Sequence, residues 1–303
     1  MRKKGEKEGG MSVFTSLFMK LFALAMRRSD DKRDRGLQEP SSLTAYRDVR
    51  YAPSGGKEHL LDVYTTAEEG ETLPALVSVH GGGFCYGDKE RYRFYCMRLA
   101  LQGYTVFNFN YRLLPARFPA PLEDLNDVML FLAAHAREYR AKADEVYAVG
   151  DSAGALILSV YAGITSSPAY AANYAFSPPL RLCAVALHSG LFDVGKGVEG
   201  FSAHAVREWT KGNRAALRLL SAREFVTAAY PPAFLSYSVN DPIAQATPAF
   251  AALLRARGVK CEVAKYGQGD KSAGHVFHLD VRSPLAADCN RRQHEFFTAV
   301  RCT

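Results

Sequence analysis

The sequence predicts an α/β fold, a mostly parallel sheet with helices on both faces. From Pro74 onward, short β-rich apolar runs alternate with helical stretches, and that alternation buries both faces of a parallel sheet. Hydrophobic residues make up 48% of the 303 and charged residues 23%, which suits one large unit with a sizeable core. No internal repeat interrupts the pattern, and no apolar run is long enough to suggest a spanning helix.

Residues 1–44 form an N-terminal segment apart from the body. "MRKKGEKEGG" is charged. "MSVFTSLFMKLFALAM" is apolar around a single Lys20, with Phe14, Leu17, Phe18, Leu21, Phe22 and Leu24 mostly on one side at helical spacing. An amphipathic helix that packs on the body or touches a membrane surface through residues 11–26 is the favoured reading. A secretory signal or anchor is the alternative, because "Ala23-Leu24-Ala25" is a small-residue cleavage pattern. "RRSDDKRDRGLQEPSS" reads as a solvated linker. Of the formal charge of +7, residues 1–35 hold +5, ten Lys/Arg against five Asp/Glu, which leaves +2 on the rest. A body so nearly neutral argues against nucleic acid as a partner.

The body, residues 45–303, opens with two antiparallel strands, "RDVRYA" and "HLLDVYT", around the turn "PSGG". "PALVSVH" is a strand ending at His80. "KERYRFYCMRLALQG" is a helix capped by Gly103, "YTVFNFNYR" a strand, and "PLEDLNDVMLFLAAHAREYRA" a helix with Pro at its start. The strand "EVYAVGDS" and the helix "AGALILSVYAGITSS" follow, then the strands "RLCAVALHS" and "PPAFLSYSVND". Between those two strands, residues 190–229 read as a polar, irregular insertion able to cap a site. The helix "TPAFAALLRARG", the strand "CEVAKYGQ" and the helix "SPLAADCNRRQHEFFTAVR" complete the order. The six cysteines form no C-x-x-C pair and no metal-ligand spacing. Their scatter favours a reducing, cytoplasmic compartment, with bridges left open.

Candidate chemistry gathers at strand ends, where such sheets place ligand sites. Gly150-Asp151-Ser152-Ala153-Gly154 is G-x-S-x-G between a strand and a helix. This context makes Ser152 a nucleophile on a sharp turn, with glycines leaving room on either side. A serine attacking an acyl carbonyl creates an oxyanion that needs preorganised N–H donors. Ala153 supplies one, and Gly81, Gly82 and Gly83, after an earlier strand, form a loop whose backbone approaches a substrate unobstructed. His80 reads as structural. Triad order on this architecture is Ser, acid, His. Among the later acids Asp241 stands directly after a strong apolar strand. Asp151 cannot orient the base, because neighbouring side chains diverge. Of His275 and His278, His275 is favoured because Gly274 gives it a small, mobile loop.

Together, His80-Gly-Gly-Gly-Phe84, Tyr111-Arg112-Leu113, Gly150-Asp-Ser-Ala-Gly154, Asp241-Pro242 and Gly274-His275-Val-Phe277 resemble the hormone-sensitive-lipase-like branch of the α/β-hydrolases over residues 45–303. Within that branch the chain is similar to bacterial esterases of the feruloyl and acetyl-xylan type. The resemblance implies a serine carboxylesterase, with a small-molecule ester as partner and neither metal nor organic cofactor. Short acyl chains are expected because the insertion at 190–229 carries many charges and few clustered apolar residues, and so offers little to a fatty chain. Asn110-Tyr-Arg-Leu-Leu-Pro-Ala116 departs from the family's Asp-Tyr-Arg-Leu-Ala-Pro-Glu at the segment supporting the glycine loop. Amide or peptide hydrolysis on the same triad is the alternative activity. A binding protein without catalysis is disfavoured by the presence of all three triad residues.

Overall fold

The computed structural model describes residues 13–53, 55–194, 200–300 and 302, with side chains from Leu17 onward. The charged decapeptide at the N-terminus, the side chain of Phe14 and residues 195–199 of the insertion lie outside what is described.

In chain order the elements are α1 (Val13–Asp34), β1 (Thr44–Arg50), β2 (Leu60–Thr65), β3 (Leu73–Val79), α2 (Lys89–Ala100), β4 (Thr105–Phe109), α3 (Ala120–His135), β5 (Ala141–Asp151), α4 (Ala153–Ser166) and a one-turn α5 (Pro168–Ala171). Then come β6 (Ala184–His188), α6 (Gly200–Thr210), α7 (Arg214–Leu219), α8 (Ala222–Phe225), β7 (Ala233–Ser238), α9 (Ala246–Ala256), β8 (Cys261–Tyr266) and α10 (Pro284–Thr298). The eight strands form one sheet in the order β1-β2-β4-β3-β5-β6-β7-β8. The β1–β2 and β2–β4 pairs are antiparallel, and every other pair is parallel.

Two-residue alternation sorts the strand side chains onto the two faces. Val77 and Val79 of β3, Ala148 of β5 and Leu187 of β6 join the core under α3, α4 and α9. Leu76, Val149 and Ala186, their sequence neighbours, join the core under α2 and α10. The register pairs Val79 with Gly150, Asp151 with His188, and His188 with Ser236. The carboxyl ends of β3, β5, β6 and β7 therefore finish level, and the loops leaving them meet at one edge.

Three regions differ from the sequence expectations. Residues 27–34, read as a solvated linker, continue α1, and charge is no obstacle there because Arg33 pairs with Asp30 at 2.9 Å and Asp34 at 2.7 Å. The insertion at 190–229 is not irregular: α6, α7 and α8 occupy it, with Trp209, Leu220 and Phe225 fully buried. Its many charges face outward while Ala205, Val206 and Trp209 turn inward at helical spacing. A signal for this was present, because the Asn213 side chain caps α7 by accepting from Ala215 and Ala216 N–H. Third, the apolar set expected on one side of α1 is divided: Phe18 and Phe22 meet Phe201 on the body. Met19 is in the core, whereas Leu17, Leu21 and Leu24 are exposed.

Of the six cysteines, Cys183 and Cys302 are joined as a disulfide, Cys96 and Cys289 are buried thiols, and Cys85 and Cys261 are half-buried. Among the described residues no helix is long and apolar enough to cross a membrane.

Candidate active site

The turn from β5 into α4 sets the site. Ser152 has φ 51° and ψ −117°, a conformation that costs roughly 1–3 kcal/mol and persists only where neighbours enforce it. They do so through backbone. Ser152 N–H donates to the His188 carbonyl at 3.0 Å. A Cβ on Gly154 would overlap the carbonyls of Val79 and His80, and one on Gly150 would stand 2.7 Å from the Gly154 carbonyl oxygen. The elbow thus requires glycine on both sides of Ser152. Helix α4 begins at the next residue, so the Ala153 N–H has no carbonyl within the helix to bond, and the helix N-terminus faces the serine.

The structure brings three of the expected residues together. His275 Nε2 lies 2.9 Å from Ser152 Oγ, and its Nδ1 lies 2.8 Å from Asp241 Oδ2. Asp241 follows β7, and its Oδ1 accepts the Ile243 N–H at 2.9 Å. Burial would raise the Asp241 carboxyl, but hydrogen bonding and charge from His275, the Ile243 N–H and the Ser189 hydroxyl outweigh burial and hold it below its usual range. Asn240 ties the loop after β7 to the loop after β8, donating to the carbonyls of Asp270 at 2.9 Å and Ala273 at 3.1 Å. The Ser238 hydroxyl donates to the same Ala273 carbonyl. Ser189 also accepts the Val276 N–H at 3.3 Å. Sequence reasoning missed Ser189 and Asn240, since each acts on a loop far away in the chain. Asn240's position beside Asp241 is the one local hint.

The other two candidate histidines lie apart from this chain. His278 is buried, stacked on His188 at 4.1 Å between ring centroids and held well below its usual pKa, first by burial. His80 stacks on Tyr111 at 4.1 Å, bonds the Gly81 carbonyl at 2.7 Å, and is pushed down to about 4 by burial. Asp151 points away from His275 toward the Tyr92 hydroxyl, which donates to it at 2.8 Å, and burial pushes this carboxyl up to about 7.

The glycine loop needs one correction. Gly81 N–H donates to the Tyr92 hydroxyl at 2.8 Å, so Gly81 offers no donor to a substrate. Its place is taken up by the Gly81–Tyr92–Asp151 chain, which anchors the loop to the elbow. Gly82 and Gly83 have φ of 113° and 61°, and among the described residues their N–H groups are bonded to no carbonyl. A Cβ on Gly82 would overlap the Tyr86 carbonyl, and one on Gly83 would strike the Phe201 ring. The segment that departs from the family pattern still supports this loop. Leu114 N–H donates to the Phe84 carbonyl at 2.7 Å and Tyr111 to the His80 carbonyl at 2.8 Å.

Aromatic side chains crowd the loop from above. Phe201 of α6 lies against Gly83, and Phe22 of α1 stacks on Phe201 at 3.9 Å. Trp209 stacks on Phe84 at 4.2 Å. The lower end of α1 grips the same loop. Tyr86 donates to Asp30 at 2.7 Å while its N–H holds the Gly82 carbonyl at 3.0 Å. Among the described residues no group of three or more His, Cys, Asp or Glu side chains is arranged to hold a metal ion.

A strand–elbow–helix turn on a mostly parallel eight-stranded sheet, with loops from three further strands converging on it, defines an α/β-hydrolase. The chain belongs to the BD-FAE family, which it matches over residues 61–251. It is 27% identical over 209 residues to Esterase LipI of Mycobacterium tuberculosis, covering 65% of each chain. It is 35% identical over 109 residues to the versiconal hemiacetal acetate esterase of Dothistroma septosporum, covering 35% of this chain and 33% of that one. The chain thus spans from a third to just under two thirds of the length of these curated relatives. Esterase B of Lactobacillus rhamnosis, solved with a C4-C4 tributyrin phosphonate, superposes with a TM-score of 0.89 at 23% identity over 96% of both chains.

Proposed function

We propose that the protein is a serine carboxylesterase acting on short-chain carboxylic esters, with acetyl or feruloyl esters of carbohydrates as the natural class. The observation that carries this reading is the unbroken hydrogen-bond chain Ser152–His275–Asp241 beside two positive-φ glycines. His275 Nε2 takes the Ser152 proton as Oγ attacks the ester carbonyl. The N–H groups of Gly82, Gly83 and Ala153 stabilise the oxyanion. Asp241 holds the imidazole in its tautomer and stabilises its charged form. The imidazolium then returns the proton to the departing alcohol. Water repeats the sequence on the acyl-enzyme and frees the acid. The esterase names of its relatives support the reaction class.

Phe201 and Phe22 close in on the oxyanion loop, which suits a small acyl group beside it. A long chain gains about 0.8 kcal/mol for each methylene it buries, so the chain-length optimum measures whether these rings exclude such a chain or line a channel for it. The test is kcat/KM across p-nitrophenyl acetate, butyrate, octanoate and palmitate, with a p-nitroanilide alongside. An optimum at acetate or butyrate, lost in Ser152→Ala together with fluorophosphonate labelling, is expected. Preferred anilide turnover moves the protein to the amidases, and an optimum at octanoate or longer refutes the short-chain reading.

A further inference from the structure

Helix α1 carries an apolar face that the described residues leave about half open to solvent. Of the eight large apolar side chains exposed among the described residues, five lie on this helix between Leu17 and Met26. Leu17, Leu21 and Leu24 are 56%, 58% and 46% exposed. They stand at i, i+4 and i+7, one line along a helix, with Arg28 at i+11 on the same line. The inward side is occupied otherwise. Met19 is buried, Phe22 stacks on Phe201, and Arg33 donates to the Arg91 carbonyl at 2.7 Å. The leucine line therefore faces away from the body and contributes little to holding the helix in place. Leaving three leucines half in water forgoes on the order of 1 kcal/mol each, and an exposed apolar stripe of this kind marks an interaction surface.

Charge identifies the occupant. Lys20 and Arg27 flank the stripe one turn from Leu17 and Leu24, and Arg28 continues it. All three are exposed, and none has an ion-pair partner among the described residues. The stripe sits in the part of the sequence that holds +5 of the net +7. An apolar line edged by free cations fits an anionic lipid surface, where leucines enter the acyl boundary and Lys/Arg meet the headgroups. Association with a second copy would set these like charges against each other. We propose that the outer face of α1 docks this protein on an anionic phospholipid bilayer, with the helix lying in the interface plane. A helix is about 10 Å across, so docking brings the Phe201 and Gly83 side of the molecule close to the lipid.

The experiment is flotation of the full chain with vesicles of phosphatidylcholine alone and of phosphatidylcholine with phosphatidylglycerol. Binding to the anionic vesicles, weakened by salt, is expected. Leu17→Ser/Leu21→Ser/Leu24→Ser should lower partitioning about a hundredfold, and Lys20→Gln/Arg27→Gln/Arg28→Gln at least about tenfold. Both variants should keep the parent melting temperature, because the altered side chains are exposed. No binding, equal binding to both vesicle types, or binding that survives the leucine substitutions overturns the proposal. So does a parent oligomer, seen by light scattering, that the leucine substitutions dissociate, because the face then belongs to a second copy. None of these readouts depends on ester hydrolysis, so the proposal and the esterase reading fail separately.

Discussion

The elbow after β5 and the helix α1 both border the oxyanion loop, yet they are held by different means. At the elbow the neighbours are backbone: the carbonyls of Val79, His80, Gly154 and His188 surround Ser152 and its glycines. Backbone cannot swing aside, so a single local pattern, glycine–x–serine–x–glycine, has one structural solution. Along α1 the neighbours are mostly side-chain tips, the Phe201 ring, the Tyr86 hydroxyl and the Arg91 guanidinium, with the Arg91 carbonyl the one backbone group among them. Many sequences could satisfy them. The strained part of this site is therefore legible locally, while its cover is a matter of which distant residues happen to meet.

Three measurements sharpen that contrast. The largest effect belongs to the histidines. His275→Ala should lower kcat/KM by about 10⁴-fold or more, since nucleophile and base act as a unit, whereas His278→Ala should cost less than about tenfold in activity once folded enzyme is counted. Steady-state kinetics normalised to active sites measures both, and a reversed ranking would transfer the base to His278. Next is the cover. Trp209→Ala removes a fully buried indole stacked on Phe84 and should destabilise by about 3–5 kcal/mol, read from urea unfolding. A loss under about 1 kcal/mol would mean that the cap is loosely packed and only leans on the loop.

The smallest effect tests the anchor beneath the elbow. Burial pushes the Asp151 carboxyl up to about 7, well above the usual carboxylate range. A carboxyl that binds its proton more tightly when folded contributes stability that is full below the unfolded pKa and is lost as pH rises through the folded one. Asp151→Asn retains an acceptor for Tyr92 and cannot ionise. Relative to the parent it should gain stability between about pH 4 and 7, by at most a few kcal/mol, followed as melting temperature against pH. A difference independent of pH would show that Asp151 stays ionised in the fold.

Short-range chemistry controls the features that could be read from the chain alone. Strand and helix order followed from periodicity, because side-chain alternation and helical spacing are local properties of the chain. Ser152, Asp241 and His275 stood out through turn residues and strand ends, and the structure brings them within hydrogen-bond reach. Tertiary structure alone decided the rest. Gly81's N–H is taken by Tyr92 of α2, an encounter that no spacing in the glycine loop announces. Residues 200–225 are helical cover because Trp209 finds Phe84 and Phe118 to pack on. The leucine line of α1 faces outward because Phe22 and Arg33, on the opposite side, found an aromatic ring and a backbone carbonyl on the body. A periodic pattern shows that a helix has two faces. Only the partners that fold against it decide which one is buried, because burial energy depends on the surface met and not on the helix alone.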